Sequence, residues 1–244
     1  MKRFKKITSF YLLIYKYIIF IKYNMITVLP RKEKTYNLIP DKILLSIDDI
    51  FTKKECEDLI RISENNGYKI ASLYTDNDGK EHIYEDFRKS ERCIIDNEDL
   101  ASRLEKIMYK HIPQVYKNKK YHSINPRFRF LKYNKFGYFS RHSDNHYKTN
   151  TITSLITILI YLNDDYEGAY TTFYSSPDNK NGFVLEPKKG MVCLMDQDIG
   201  HCVPELISGT KYIIRTELMY LNEDVNNISY NSFNDKDIKV INFK

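Results

Sequence analysis

Several familiar sequence signals are missing from this chain, and each absence argues against a class of site. Its four cysteines, at positions 56, 93, 193 and 202, include no Cys-x-x-Cys pair, so we expect no structural zinc knuckle. Four cysteines in a chain of 244 residues do not require a disulfide framework either. We therefore expect the thiols to be reduced.

The body of the chain has no net positive charge. The net charge is +6, but residues 1–35 carry nine basic side chains and one acidic side chain, so the rest of the chain has a net charge of −2. Binding to nucleic acid would need a basic patch on the folded body. We therefore expect no nucleic-acid partner.

A long apolar run is also missing at the N-terminus. Basic residues 2–6 precede an apolar stretch at residues 7–21 that Lys16 interrupts, whereas a membrane span needs about 20 apolar residues. The order of charge and apolar residues is typical of a signal peptide or signal anchor. Residues 1–28 are thus a signal anchor that contacts a membrane, a disordered or interfacial leader, or an extension upstream of a true start at Met25. The first alternative places the protein at a membrane or in a secretory lumen, and the others favour the cytoplasm.

Local patterns predict a polar linker at residues 29–41, followed by helices. Thr52-Lys-Lys-Glu55 is a capping box, which predicts a helix over residues 53–65. A second helix is expected after Asn97, where apolar residues recur at helical spacing. Between the helices, Asp78-Gly79 is a hairpin signal in a polar segment that is either a surface hairpin or a cover for a site.

From residue 125 onwards the sequence is typical of strands. β-Branched and aromatic segments are separated by turns, with no helical pattern between them, which indicates a sandwich, jelly roll or barrel. The predicted strands are residues 127–134, 137–142, 151–162, 170–174, 182–186, 190–195, 200–203 and 210–220. We expect a mainly β fold with N-terminal helices over residues 42–222, and a polar mobile tail at residues 223–244.

The tripeptide His142-Ser143-Asp144 is the most informative motif in the strand-rich region. Side chains two residues apart in a strand point to the same side, so His142 and Asp144 can bind one metal ion. His201 offers a third ligand, and the cation Lys211 follows ten residues later. Two histidines and one carboxylate form the facial triad of non-haem Fe(II) oxygenases.

This ordered set resembles the 2-oxoglutarate- and Fe(II)-dependent dioxygenases of the prolyl 4-hydroxylase type. The resemblance covers residues 42–220 and implies a double-stranded β-helix, or jelly roll, flanked by N-terminal helices. The matching segments are Ile50–Cys56, Lys89–Cys93, Phe128–Tyr133, His142–Asp144, Ile160–Asn163, Glu167–Thr171 with Phe173, Pro187–Gly190, His201 and Gly209–Lys211.

The resemblance implies a role for each residue of the set. His142, Asp144 and His201 would bind the iron. Lys211 would pair with the distal carboxylate of 2-oxoglutarate, because a buried ammonium is suited to hold an anion. Tyr133 would donate a hydrogen bond to the same carboxylate.

Four further residues are weaker candidates for the site. Tyr161 is a second candidate for the hydrogen bond to 2-oxoglutarate. Arg215 shares a strand face with Lys211, so it either contacts 2-oxoglutarate or pairs with a local acid such as Glu217. Arg127 and Arg129 share a face with Tyr133 and either line the pocket or lie at a sheet edge.

The resemblance implies a hydroxylase that uses Fe2+, O2, 2-oxoglutarate and L-ascorbate, and that forms succinate and CO2. Peptidyl proline is the expected acceptor, as in a procollagen-proline 4-dioxygenase. Lysyl side chains, other side chains and small molecules are alternatives, since Gly168-Ala-Tyr-Thr171 replaces the Gly-Gly-Glu-Thr of many relatives. A jelly-roll module that binds a metal without turnover is a hypothesis of another class. The presence of Lys211 and Tyr133 argues against it, because a bare metal site needs no partner for an anion.

Overall fold

The computed structural model describes residues 31–74 and 81–224. Helix α1 is Lys53–Asn66, and helix α2, Glu98–Met108, continues into a 3-10 helix at Tyr109–His111. The described strands are β1 (Glu33–Thr35), β2 (Leu44–Ile47), β3 (Lys69–Ile70), β4 (Leu73–Tyr74), β5 (Glu81–His82), β6 (Arg88–Lys89), β7 (Glu91–Asp96), β8 (Val115–Tyr116), β9 (Lys119–Ile124), β10 (Arg127–Tyr133), β11 (Tyr138–His142), β12 (Ile152–Tyr161), β13 (Glu167–Gly168), β14 (Thr172–Tyr174), β15 (Phe183–Val184), β16 (Val192–Asp196), β17 (Gly200–Val203), β18 (Leu206–Ser208) and β19 (Lys211–Asp224).

Three predicted segments lie wholly or partly outside the described residues. These are the leader at residues 1–28, the Asp78-Gly79 turn, and residues 225–244 of the tail. The strands on either side of that turn, β4 and β5, pair with each other as a hairpin requires.

Both helices begin at the residues that the sequence predicts. The hydroxyl of Thr52 accepts a hydrogen bond from the Glu55 backbone N–H, and the Glu55 carboxylate accepts one from the Thr52 N–H, which completes the capping box. Asn97 caps α2 by accepting a hydrogen bond from the Leu100 N–H. Helix α1 ends at Gly67, whose φ of 82° favours glycine.

A large antiparallel sheet forms the centre of the described chain. Its strands run in the order β1-β2-β16-β12-β19-β10-β7-β3, and the β8–β9 hairpin pairs with β19. Residues 33–35, inside the segment predicted as a linker, form β1 and pair with β2. The alternation of side chains along β12 shows how this sheet separates two cores. Ile156, Ile158 and Ile160 pack towards the helices, and Leu159 and Tyr161 pack in the second core.

The smaller sheet has the order β15-β14-β17-β11-β6. Its residues Phe173 and Val203 share the second core with Tyr133 and Ile213 of the large sheet, so the two sheets pack against each other. The predicted mainly β fold with N-terminal helices is therefore confirmed.

Two further expectations concern the cysteines and the membrane. All four cysteines are free in the structure, and three of them are buried. In the described part of the chain, no helix combines the length and the apolar character that a bilayer span requires.

Candidate metal centre and its cavity

Three predicted ligands converge between the two sheets. His142, at the end of β11, is in register with His201 on the neighbouring strand β17, and their ring centroids are 4.3 Å apart. Asp144 follows two residues after His142. One candidate ligand atom from each of these three residues lies within 4.8 Å of the others. The sequence prediction of a three-residue cluster is thus matched by the positions of the side chains.

Both imidazoles are oriented by backbone carbonyl groups. Nδ1 of His142 lies 2.7 Å from the Ser140 oxygen, and Nδ1 of His201 lies 3.0 Å from the Ile199 oxygen. When Nδ1–H donates to these carbonyls, Nε2 is the lone-pair nitrogen available to a metal. Burial, followed by the neighbouring His201, lowers the pKa of His142 to about 3, and burial also lowers the pKa of His201. Both rings are therefore neutral at physiological pH, which is the form that binds metals.

Asp144 is held through one of its two oxygens. Its Oδ2 accepts hydrogen bonds from Thr157 Oγ1 at 2.6 Å and from Arg215 Nε at 3.2 Å. Burial alone would raise the pKa of Asp144, but Arg215, the two imidazoles and the Thr157 hydroxyl hold it well below its usual range. The anionic carboxylate therefore has Oδ1 left for a metal ion.

The donor set fits a non-haem Fe(II) ion. Two neutral imidazole nitrogens and one carboxylate oxygen are the ligands of the facial triad. Each ligand is fixed through its other polar atom, as metal-binding histidines and carboxylates usually are. The chemistry of the three side chains therefore suits iron better than a structural zinc, which is usually held by four ligands including cysteine.

A cavity of about 1000 Å³ opens in front of these ligands. Leu131, Leu159 and Ile213 from the large sheet line it, together with Phe139 and Val203 from the smaller one. Arg127 and Arg129 line it too, so the pocket interpretation of these two residues is the correct one. The cavity is therefore formed by side chains of both sheets.

Lys211 lies at the first residue of β19, directly opposite Tyr133 on β10. Its side chain is fully buried, and its Nζ donates to the Ala169 carbonyl at 2.6 Å and lies 3.5 Å from Thr171 Oγ1. Tyr133 and Thr171 line the cavity, whereas Lys211 itself is not part of its surface. Burial lowers the pKa of Lys211 to about 7. Within the described residues, no carboxylate forms an ion pair with this ammonium group.

Aromatic rings enclose the Lys211 ammonium. The ring centroids of Tyr133, Tyr161 and Tyr166 lie 5.5 to 5.8 Å from Nζ. Tyr161 donates to Thr171 Oγ1 at 2.8 Å, so both predicted tyrosines belong to one cluster with Lys211. Ala169, which supplies the carbonyl, has a φ of 52°, a conformation that favours the glycine found there in many relatives.

Arg215 has acidic partners. Its Nε contacts Asp144, and its Nη1 lies 3.1 Å from Glu217 Oε1. Glu217 also accepts from Arg129 Nη1 at 2.8 Å and from Asn125 Nδ2 at 2.8 Å. Of the two interpretations of Arg215, the structure supports pairing with a local acid, and it adds the distant Asp144. The additional contact with 2-oxoglutarate is not needed to satisfy this guanidinium.

Sequence reasoning missed three residues around the site. Thr157 lies in a largely apolar strand and was therefore overlooked. It shares a face of β12 with Leu159 and Tyr161, and this alternation could have identified it. Arg88 lines the cavity from an edge strand and carries no recognisable local signal. His146, four residues after His142, is exposed, lines the cavity and contacts Asp198 at 3.0 Å.

Residues 128–217 match the model of the 2OG-Fe(II) oxygenase superfamily. The matched segment contains the three candidate ligands, Lys211 and Tyr133. The candidate site therefore lies within a segment that resembles the 2OG-Fe(II) oxygenase superfamily. This similarity supports a dioxygenase and implies Fe2+, 2-oxoglutarate and O2. No curated protein matches the chain.

Solved structures of prolyl hydroxylases share the fold of this chain. A prolyl hydroxylase from Trichoplax adhaerens, in complex with a peptide fragment of hypoxia inducible factor, has a TM-score of 0.57 at 14% identity, over 72% of this chain and 82% of that one. A Pseudomonas putida prolyl-4-hydroxylase has a TM-score of 0.52 at 12% identity, over 72% and 91%. The viral collagen prolyl hydroxylase of Paramecium Bursaria Chlorella virus-1 has a TM-score of 0.50 at 18% identity, over 72% and 95%. At these low identities, the TM-scores show a common fold.

Proposed function

We propose that this protein is a 2OG-Fe(II)-dependent hydroxylase in which His142, Asp144 and His201 hold Fe(II). The convergence of one neutral nitrogen from each imidazole and one anionic oxygen supports these roles. The two packed sheets are proposed to be a double-stranded β-helix, with the catalytic domain at residues 42–222. We assign Arg215 and Thr157 to positioning Asp144, since both donate to its Oδ2.

The observation that carries the proposal is the buried Lys211 ammonium without an acidic partner. An uncompensated buried charge costs several kcal/mol, so a protein retains one where a ligand of opposite charge binds. We propose that Lys211 pairs with the distal carboxylate of 2-oxoglutarate. Tyr133 is then the hydroxyl donor of the same subsite, because it lines the cavity and its ring flanks the ammonium group. Tyr161, the second candidate, donates its only O–H to Thr171, so we assign it to positioning Thr171 beside Lys211.

Bound iron would supply the oxygen chemistry of this superfamily, in which O2 and 2-oxoglutarate are consumed and succinate and CO2 are formed. One oxygen atom enters succinate, and the other enters a C–H bond of the acceptor. The contribution of the chain is to orient the ligands, to neutralise the distal carboxylate and to keep water from the apolar walls of the cavity. L-Ascorbate is proposed as the reductant that maintains Fe(II).

We propose peptidyl proline as the acceptor. The similar structure from Trichoplax adhaerens is a prolyl hydroxylase in complex with a peptide fragment, and the similar viral enzyme is a collagen prolyl hydroxylase. The cavity of about 1000 Å³ has room for a peptide side chain in addition to a small diacid. A collagen-like repeat is therefore a reasonable first substrate to test.

The test is succinate formation by the purified full chain with Fe(II), 2-oxoglutarate, ascorbate and proline-containing peptides. We expect succinate together with a mass gain of one oxygen on the peptide. His142→Ala should abolish both products, because it removes a metal ligand. His122→Ala is the matched control, since His122 is exposed and, within the described part of the chain, its ring forms a hydrogen bond only with Ser123. This variant should leave activity unchanged. Undiminished succinate formation by His142→Ala would contradict the assignment.

A further inference from the structure

The side chains that line the cavity have a net positive charge, whereas the chain after residue 35 does not. Two acidic side chains, Asp144 and Glu217, line it, against six basic ones, so the lining has a surplus of four positive charges when its histidines are neutral. By contrast, residues 36–244, which contain the cavity, have a net charge of −2. A cleft lined by one sign of charge attracts ligands of the opposite sign. The basic residues of the lining are Arg88, Arg92, Arg127, Arg129, Lys148 and Arg215.

Three of the six basic side chains in this lining have acidic partners within the protein. Arg129 and Arg215 bind Glu217, and Arg127 forms two hydrogen bonds with Asp96. Arg88 differs from them. Its Nε donates to Ser90 Oγ at 2.7 Å, but its Nη2 is buried and has no hydrogen-bond partner. No carboxylate of the described residues forms an ion pair with Arg88.

Leaving a charged donor unsatisfied in the interior is costly, and the cost is larger than for a neutral group. Arg88 is only 6% exposed, and yet it is part of the cavity surface. A buried guanidinium donor that faces a cavity without a protein acceptor is suited to receive an oxygen anion from a ligand, and a carboxylate matches its planar geometry.

The position of Arg88 places this donor near the candidate metal ligand His142. Arg88 on β6 is in register with Phe139 on β11, and its guanidinium lies 4.5 Å from the Phe139 ring centroid. The Phe139 ring in turn stacks on the imidazole of His142 at 3.6 Å. Lys211 begins a strand of the other sheet. Among the described residues, two buried cations without acidic partners thus lie at the cavity, Arg88 in its lining and Lys211 beside the lining residue Thr171, one from each sheet.

We propose that Arg88 binds a carboxylate of the acceptor, so that the preferred acceptor is a peptide with an acidic residue next to the hydroxylated one. The inference rests on the proposed function, because it assigns Lys211 to 2-oxoglutarate and leaves Arg88 for the acceptor. It adds a class of substrate, an anionic peptide, that a metal site and an apolar cavity do not by themselves require.

The test compares nine-residue peptides that differ only beside a central proline, with Glu, Gln or Lys at that position. Equilibrium binding to the full chain loaded with Fe(II) and 2-oxoglutarate is measured without oxygen, and hydroxylation is then measured by mass in air. We expect the Glu peptide to bind on the order of tenfold more tightly than the Gln peptide, as for one charge-assisted hydrogen bond, and the Lys peptide to bind most weakly.

Variants of Arg88 connect this preference to one side chain. Arg88→Gln should bring the affinities for the Glu and Gln peptides close together, and Arg88→Lys should retain part of the preference. Arg141→Gln is the control, because Arg141 lies on β11 but contacts the carbonyls of Ser176 and Asn179 and does not line the cavity. It should retain the full preference for Glu.

Two results would overturn the inference. One is equal affinity of the wild-type protein for the Glu and Gln peptides. The other is a loss of 2-oxoglutarate affinity in Arg88→Gln with the Glu preference unchanged, which would mean that Arg88 binds the cosubstrate. Preferential binding of the Glu peptide without any mass gain would support the anion site while contradicting the prolyl hydroxylase assignment, so the two failures are distinguishable.

Discussion

Strand β19 has two cations on one face, Lys211 and Arg215, and only Arg215 has acidic partners among the described residues. Lys211 is enclosed by tyrosine rings and a carbonyl, with no carboxylate beside it, and burial lowers its pKa to about 7. Arg215 lies between two carboxylates, Asp144 and Glu217, which outweigh burial and raise its pKa. Lys211, which is buried, and Arg215, which is partly buried, thus differ in whether the protein itself supplies the counter-charge.

The difference separates a positioning role from a binding role. A cation that already has two acidic partners stabilises the folded chain and fixes the orientation of a neighbouring carboxylate. A cation without such a partner destabilises the folded chain until a ligand brings the missing charge. The same kind of substitution at the two positions should therefore change stability in opposite directions.

The largest expected effect is on stability, at Arg215. Arg215→Met leaves Asp144 buried and anionic without its guanidinium, whereas Glu217 keeps Arg129. We expect the free energy of unfolding of the metal-free full chain to fall by about 3 kcal/mol, as for breaking a buried ion pair. Urea denaturation followed by circular dichroism measures this change.

The control for that experiment is Arg141→Met. Arg141 has no carboxylate partner among the described residues and donates only to backbone carbonyls, so its loss should cost less than about 1.5 kcal/mol. Equal losses of stability in the two variants would mean that the Arg215–Asp144 ion pair stabilises the fold no more than the hydrogen bonds of Arg141 to carbonyl groups do.

The second effect is on ligand affinity, at Lys211. Lys211→Met removes an uncompensated buried charge and keeps an apolar chain of similar length, so the metal-free protein should become more stable. The affinity for 2-oxoglutarate should fall by about 10- to 100-fold, the value of one or two charge-assisted hydrogen bonds. The visible absorption band of the anaerobic Fe(II) and 2-oxoglutarate complex measures the affinity.

Lys135→Met is the matched control, because Lys135 is exposed and lies over Phe136 outside the cavity. It should leave the 2-oxoglutarate titration unchanged. If Lys211→Met destabilised the metal-free protein as much as Arg215→Met does, the contrast between the two cations would be wrong.

The smallest effect is a pH dependence that only Lys211 should produce. The pKa of Lys211 in the ligand-free protein is lowered to about 7 from 10.5, so the amine loses its charge as the pH rises through 7. Binding of the distal carboxylate needs the protonated form, so the affinity for 2-oxoglutarate should fall about fivefold between pH 7 and pH 8. Lys211→Arg should show a flatter profile in the same titration, because arginine stays charged. A profile that is unaffected by this substitution would assign the titration to another group.

The sequence predicted the features that depend on neighbouring residues. The capping box at Thr52 gave the start of α1, and Asn97 gave the start of α2, because capping is decided within four residues. The run of β-branched residues at Ile152–Tyr161 gave a central strand, and the ordered set from His142 to Lys211 gave the cluster that the fold brings together.

The sequence did not decide features that depend on tertiary contacts. Arg215 is 71 residues from Asp144, and only strand pairing shows that this carboxylate is its partner. Strand β1 is three exposed residues with no apolar pattern, and it is recognisable only by its pairing with β2. Arg88 is unusual because its Nη2 has no hydrogen-bond partner among the described residues, which no sequence pattern records.

The most direct test of the account is a crystal structure of the full chain prepared without oxygen with Fe(II) and 2-oxoglutarate. We predict iron bonded to Nε2 of His142, Nε2 of His201 and Oδ1 of Asp144, with the distal carboxylate of 2-oxoglutarate in hydrogen-bond contact with Lys211 Nζ. Iron bound by other residues, or the distal carboxylate on Arg215 or Arg88, would contradict it.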